Sequence, residues 1–147
     1  MLRAMPEIER SALVPHSAEA MFALVNDVPS YPQFLNWCRS TNVLENASDA
    51  MVAEVQVSIA GIRQSFTTRN QLQPFAQIDM HAVDGPFEQF VGRWTFDPLG
   101  DDGCKVVLKL RFELASEVLA SAFAGGFSWV AKRLVGDFVD RAYVVHG

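Results

Sequence analysis

The sequence predicts an α+β fold in which a curved antiparallel sheet of about seven strands wraps around a long C-terminal helix, with two short helices after the first strand. Three observations carry that prediction. Apolar and polar residues alternate with a period of two in segments that run from Glu7 almost to Leu114, as strands with one buried and one wet face require. After Ser116 the period changes to 3.6, placing Phe123, Phe127, Val130, Leu134, Phe138 and Ala142 on one helical face. Turn residues separate the alternating segments so closely that antiparallel hairpins are the natural connection.

Taken in order, Glu7 to Val14 reads as a first strand stopped by Pro15. Ser17 is placed to cap a helix that carries Glu19 in its positive first turn and buries Ala18, Met21, Phe22 and Val25. Asn26-Asp27-Val28-Pro29 breaks that helix. Ser30 to Trp37 reads as a second short helical segment, because Pro32 near a helix start sacrifices little hydrogen bonding. Strands follow at Thr41 to Leu44, Ala53 to Ile59, Ile62 to Leu72, Gln77 to Val83, Phe90 to Phe96 and Val106 to Leu114. The last is the clearest: Val106, Leu108, Leu110, Phe112 and Leu114 alternate with Lys105, Val107, Lys109, Arg111 and Glu113. Turns are expected at Ala60-Gly61, Gln73-Pro74, Asp84-Gly85-Pro86, and Asp97-Pro98 with Gly100-Asp101-Asp102-Gly103. Ser116 then caps the long helix. Together these elements make a helix-grip architecture.

The 147 residues fit one domain over residues 6–145, with residues 1–5 expected to be disordered. No apolar run approaches the ~20 residues needed to cross a bilayer, and the N-terminus has no secretory h-region. The expectation is a soluble cytoplasmic chain. Twelve basic and 17 acidic residues give a net charge of −5, the wrong sign for coating nucleic acid. No DNA contact is expected, and an RNA contact would need a local basic patch. Cys38 and Cys104 lie far apart without CxxC spacing, which argues against a disulfide framework or a zinc site.

A sheet wrapped around a helix leaves a wedge that is either core or ligand pocket. Gly125-Gly126 within the long helix costs about 1 kcal/mol per glycine relative to alanine. Either a recess over a ligand or close packing against a bulky residue such as Trp94 or Phe96 would offset that. The parity that buries Ile62, Phe66 and Leu72 also turns Gln64, Thr68 and Asn70 inward. Backbone groups, water or a ligand carbonyl must partner them.

Four segments carry a family resemblance: Ser30-Tyr31-Pro32-Gln33-Phe34-Leu35-Asn36-Trp37-Cys38, Phe66-Thr67-Thr68-Arg69-Asn70, Val83-Asp84-Gly85-Pro86-Phe87 and Gly92-Arg93-Trp94-Thr95-Phe96. From Pro6 to about Tyr143 the chain resembles the bacterial ribosome association toxins and the related coenzyme Q-binding proteins, within the START-like and polyketide cyclase superfamily. Asn36 departs from the proline common in the quinone-binding relatives. The resemblance implies a hydrophobic cavity that binds ubiquinone in support of respiration, with no required cofactor and transient contact with the inner-membrane surface. For the toxin branch it implies association with the large ribosomal subunit that blocks subunit joining.

On the ligand reading, Tyr31, Phe34, Leu35 and Trp37 form a mouth or lid, with Phe123 and Phe127 opposite. Gly126 supplies a recess, and Gln64, Phe66, Thr68, Asn70 and Trp94 line the sheet side. On the ribosome reading, strand parity exposes Arg63, Arg69, Arg93, Lys105, Lys109 and Arg111 on the outer face, where they either meet phosphates or form ordinary cross-strand pairs with Glu7, Glu9, Glu54, Glu88 and Glu113. For catalysis there is no Gly-x-Ser-x-Gly, metal-ligand spacing or phosphate loop. His16, His81 and His146 read as solvated, so no catalytic or metal residue is assigned and the chain is expected not to be an enzyme. A cyclase that merely folds its substrate in a shaped cavity would leave little motif, and it stands as a third reading.

Overall fold

The computed structural model describes residues 7–147; the expectation of disorder at 1–5 lies outside them. Strand β1 (Glu7–Val14) leads into helix α1 (Ala18–Asn26) and a 3-10 helix (Val28–Gln33). Six strands follow: β2 (Cys38–Asn46), β3 (Ala50–Ile59), β4 (Ile62–Gln73), β5 (Gln77–Asp84), β6 (Phe87–Leu99) and β7 (Gly103–Leu114). Helix α2 (Glu117–His146) closes the chain. The seven strands form one antiparallel sheet in the order β1-β7-β6-β5-β4-β3-β2. From β2 to β7 the chain meanders, each strand pairing with the next, and β1 pairs with β7 in a register that sets Glu7 opposite Arg111. The helix-grip fold is thereby formed.

Both expected caps form. The Ser17 hydroxyl accepts from the Ala20 N–H at 3.1 Å, and that of Ser116 from the Leu119 N–H at 3.1 Å, each satisfying a donor that the first helical turn leaves orphaned. The second short helix starts at Val28 instead of Ser30 and ends at Gln33. Pro29, read in the sequence as a breaker, occupies its first turn, where a missing N–H is harmless.

Asp97-Pro98 is not a turn. Both residues lie within β6, opposite Lys105 and Cys104; β5 has ended opposite Thr95, so β6 has only β7 beside it there and an edge position tolerates the proline. The hairpin bends at residues 100–102.

Helix α2 buries Phe123, Phe127, Val130, Ala131, Val135, Phe138 and Ala142. Leu134, expected on the core face, is half-buried, and Val135 takes the deeper place. His16 is the other correction. It is 8 % exposed, with its ring edge-on to Tyr143 at 5.0 Å. The end of α2 docks over the β1–α1 loop, a long-range packing that no local pattern announces. His81 and His146 are exposed.

The two adjacent glycines of α2 differ. Gly125 faces open space, whereas a Cβ on Gly126 would stand 2.8 Å from Ile59 Cγ2 and 3.1 Å from Ala60 Cβ. Gly126 therefore admits the β3–β4 hairpin and is neither a recess over a ligand nor a seat for Trp94 or Phe96. Gly125→Ala is expected to raise stability by about 1 kcal/mol through helix propensity. Gly126→Ala should gain nothing or lose stability, because crowding opposes the same propensity. Urea unfolding of both variants checks this; equal gains would show that the hairpin yields freely.

Candidate functional site

Helix α2 and the inner face of the sheet do not meet everywhere. Between them lies a cavity of about 90 Å³. Phe127, Val130, Ala131, Leu134 and Phe138 of α2 form one wall. Opposite stand Ala53 and Val55 of β3, Phe66, Thr68 and Asn70 of β4, and Met80 of β5. Phe90 and Trp94 of β6 and Leu108 and Leu110 of β7 complete the sheet side, and Val28, Tyr31 and Trp37 come from the segment between α1 and β2. Small side chains on facing walls, Ala53 and Ala131, leave space that larger residues would fill.

Of the residues singled out from the sequence, Tyr31, Trp37, Phe66, Thr68, Asn70, Trp94 and Phe127 are brought together on this wall. Phe34, Leu35, Gln64, Phe123 and Gly126 are not. Phe34 packs on Phe138 with ring centroids 5.3 Å apart and carries the Arg141 guanidinium 5.0 Å from its ring centre. Leu35 and Phe123 are fully buried core residues. Gln64 pairs with Val57 close to the β3–β4 hairpin and is half-buried, and Gly126 touches that same hairpin. Parity identifies the face a residue points to, but it gives no depth along the strand. Met80, Phe90, Leu108 and Leu110 were missed as lining residues although their alternation places them inward.

The polar atoms of this wall are few. The Tyr31 hydroxyl donates to the Val25 carbonyl, one of the acceptors left open at the end of α1. Burial, reinforced by Cys38 and Asp27, holds the phenol far above its ordinary pKa, so it stays neutral. Trp37 is anchored by its carbonyl, which accepts from the Ser58 N–H at 2.9 Å, yet its indole Nε1 is buried without a hydrogen-bond partner. Asn70 is 6 % exposed and its Oδ1 is likewise buried and unpartnered. Each such atom costs about 1 to 3 kcal/mol if nothing meets it. Among the described residues, no Asp, Glu, Lys, Arg or His lines the cavity.

Cys38 and Cys104 are free and buried. Burial pushes the Cys38 thiol up to about 11 and also raises that of Cys104, with Asp97 adding to the latter. Both remain protonated at neutral pH. Among the described residues no three His, Cys, Asp or Glu side chains group to hold a metal ion, and no helix is long and apolar enough to cross a membrane.

The six basic candidates all lie exposed on the sheet, interleaved with acids. Arg93 Nε sits 2.6 Å from Asp79 Oδ1, and Arg69 3.8 Å from Glu45. Lys109 stands opposite Glu9, Lys105 opposite Asp97, and Arg111 opposite Glu7. Arg63 lies apart, opposite Ser58 beside the β3–β4 hairpin.

A profile of the family described as polyketide cyclase / dehydrase and lipid transport matches residues 14–139. The chain is 47% identical to the persistence and stress-resistance toxin PasT of Escherichia coli O6:H1 over 97% of its own length and 90% of that protein. It is 48% identical to the ribosome association toxin RatA of Vibrio cholerae, covering 97% of this chain and 99% of the relative. A mitochondrial coenzyme Q-binding protein of Xenopus laevis, COQ10 homolog B, is more distant at 28% over 96% of this chain and 59% of that one. Among solved structures, TTHA0849 from Thermus thermophilus superimposes with a TM-score of 0.82 at 18% identity, covering 97% of this chain and 100% of the other. A START superfamily protein from Mycobacterium smegmatis gives 0.68 at 20% identity, over 90% and 98%. These two likenesses speak to the fold.

Proposed function

Because the chain belongs to the polyketide cyclase / dehydrase and lipid transport family, we propose that it is a binding protein of that family, acting on the ribosome and carrying out no reaction of its own. The observation that carries the ribosome role is the 48% identity, across 97% of the chain, to a protein named for ribosome association. On this reading the chain binds the large subunit in the cytoplasm and blocks subunit joining. The absence of catalysis draws support from the cavity wall. Among the described residues its polar side chains are Tyr31, Thr68 and Asn70, with the Trp37 indole, and none of these titrates near neutral pH, so they offer no agent for general acid–base work.

Ribosomal RNA would be met by the outer sheet face. Lys105 and Lys109 of β7 are the residues to test there, since Arg93 and Arg69 are already engaged by Asp79 and Glu45. The protein is expected to sediment with large subunits at low salt. Raising salt should release it, and Lys105→Glu with Lys109→Glu should weaken it about tenfold or more, as loss of phosphate contacts demands. Insensitivity to both would move the contact elsewhere; no sedimentation at low salt would sink the ribosome role.

The cavity favours a second reading, compatible with the first: an apolar ligand, with an isoprenoid quinone such as ubiquinone as the candidate. The distant coenzyme Q-binding relative supports it. At about 90 Å³ the space is smaller than the ~150 Å³ apolar cavity that takes up a single benzene. A quinone ring and its first isoprene unit therefore need α2 and the Tyr31–Trp37 segment to move apart, and loading would take place in brief contact with a membrane surface. Mass spectrometry of solvent extracts from detergent-free protein tests this: stoichiometric isoprenoid lipid supports it, and an empty extract counts against it.

A further inference from the structure

We infer that the solvent-facing side of the first half of α2 docks on an anionic lipid bilayer, lying in the headgroup plane with Trp129 inserted and Lys132 and Arg133 on lipid phosphates. This rests on the apolar-ligand reading, in which the protein loads at a membrane, and names the surface that touches it.

Helix α2 covers the inner face of the sheet with one side and turns the other to solvent. A surface helix ordinarily carries charge on that outer side. Residues 118–131, however, contain no Asp, Glu, Lys, Arg or His, over about 20 Å of helix at 1.5 Å per residue. The exposed stripe is Val118, Ser121, Ala122, Gly125 and Trp129, which recur at helical spacing. Val118 is 78 % exposed and Trp129 59 %. Nothing stands within 4 Å of where a Cβ on Gly125 would lie, so the chain itself does not cover the stripe there. The β3–β4 hairpin meets α2 at Gly126 through Ile59 and Ala60, which add no charge.

The cations at one end of the stripe identify its occupant. Lys132 and Arg133 are exposed one turn beyond Trp129, and the Arg133 guanidinium lies 4.6 Å from the centre of the indole. An indole bordered by cations suits the lipid interface, where the ring sits at headgroup level and the cations meet phosphates. The acids of this part of α2 lie outside the stripe: Glu117 precedes it, half-buried Asp137 follows Arg133 by one turn, and Asp140 by two. An RNA backbone would call for cations along the whole stripe. No helix among the described residues is long and apolar enough to cross a bilayer, so the contact is in plane. The stripe points away from the outer sheet face, and the two surfaces do not compete.

The test is co-sedimentation of the intact protein with quinone-free vesicles of phosphatidylcholine, alone or mixed with phosphatidylglycerol. Binding is expected only to the mixed vesicles and should fall as salt rises. Trp129→Ala should weaken it about tenfold, and Lys132→Ala with Arg133→Ala about thirtyfold; all three side chains are exposed, so the variants should fold. Brominated phosphatidylcholine in the mixed vesicles should quench the native emission, and Trp129→Phe should abolish that quenching. Equal binding by native protein and variants, or no binding to either vesicle, would overturn the inference. So would variants that lose ribosome sedimentation or self-association while binding vesicles normally, the stripe then serving RNA or a second copy. The apolar-ligand reading is judged separately, by the solvent extracts.

Discussion

Replacing Gly85 by alanine is expected to lower the midpoint of thermal unfolding by roughly 6 to 12 °C, the equivalent of about 3 kcal/mol in a domain of this size. Gly85 has φ +129°, and a Cβ there would stand 2.4 Å from Phe66 Cβ and 2.9 Å from Phe66 Cα. Neither is the free end of a flexible side chain. Backbone strain at such a φ costs about 1 to 3 kcal/mol, and overpacking adds a similar amount. Strand β4 must therefore shift where its pairing with β5 is already irregular, between Thr67 and Thr68. Phe66 stands beside Phe87 and Phe90 at 5.3 and 5.7 Å, so the cavity wall would be disturbed with it. Calorimetry decides; an unchanged midpoint would mean that the β5–β6 turn swings outward without touching β4.

The second large effect is at Phe138. It is 1 % exposed and meets Tyr31, Phe34 and Trp94 at 5.4, 5.3 and 5.4 Å between ring centroids. Phe138→Ala is expected to cost about 3 to 5 kcal/mol, the transfer of the ring plus the void it leaves. That void adjoins the existing cavity, since Phe138 is part of its wall. The enlarged space should accept a small apolar molecule, as dry engineered cavities do. Saturating benzene is therefore expected to recover part of the lost stability in the variant and to do little for the native protein. Equal shifts in both would mean that the neighbouring rings collapse into the gap.

Most of the architecture was legible because it is written in periods. β1 and β4 begin where the alternation places them, and the change to 3.6 after Ser116 marks α2. Errors came where a local signal has two meanings. Proline marks a turn unless the strand has lost a neighbour, as at Pro98, and it breaks a helix unless it starts one, as at Pro29. The cavity was legible only by face. Thr68 and Asn70 share their parity with Gln64, yet Gln64 lies toward the hairpin and away from the void. Whether facing side chains fill a space depends on volumes summed over β3, β4 and α2, which no single segment records. Gly126 shows the same limit: its missing side chain was conspicuous, but its neighbours, Ile59 and Ala60, lie far away in sequence.

The pairing of β1 with β7 sets the order in which the chain can mature during synthesis. Strands β2 to β6 each find a neighbour within a hairpin as they emerge, whereas Glu7 waits for Arg111. Until then β1 has an open edge, and the apolar inner face of the meander stays wet until α2, which follows β7 in the chain, folds over it. Nascent chains of this protein thus expose their stickiest surface until α2 has been made, a period when edge pairing between chains competes with folding. Truncations that remove α2 should accordingly aggregate and not persist as stable sheets, and slow closure of the β1–β7 contact is the step most exposed to that competition.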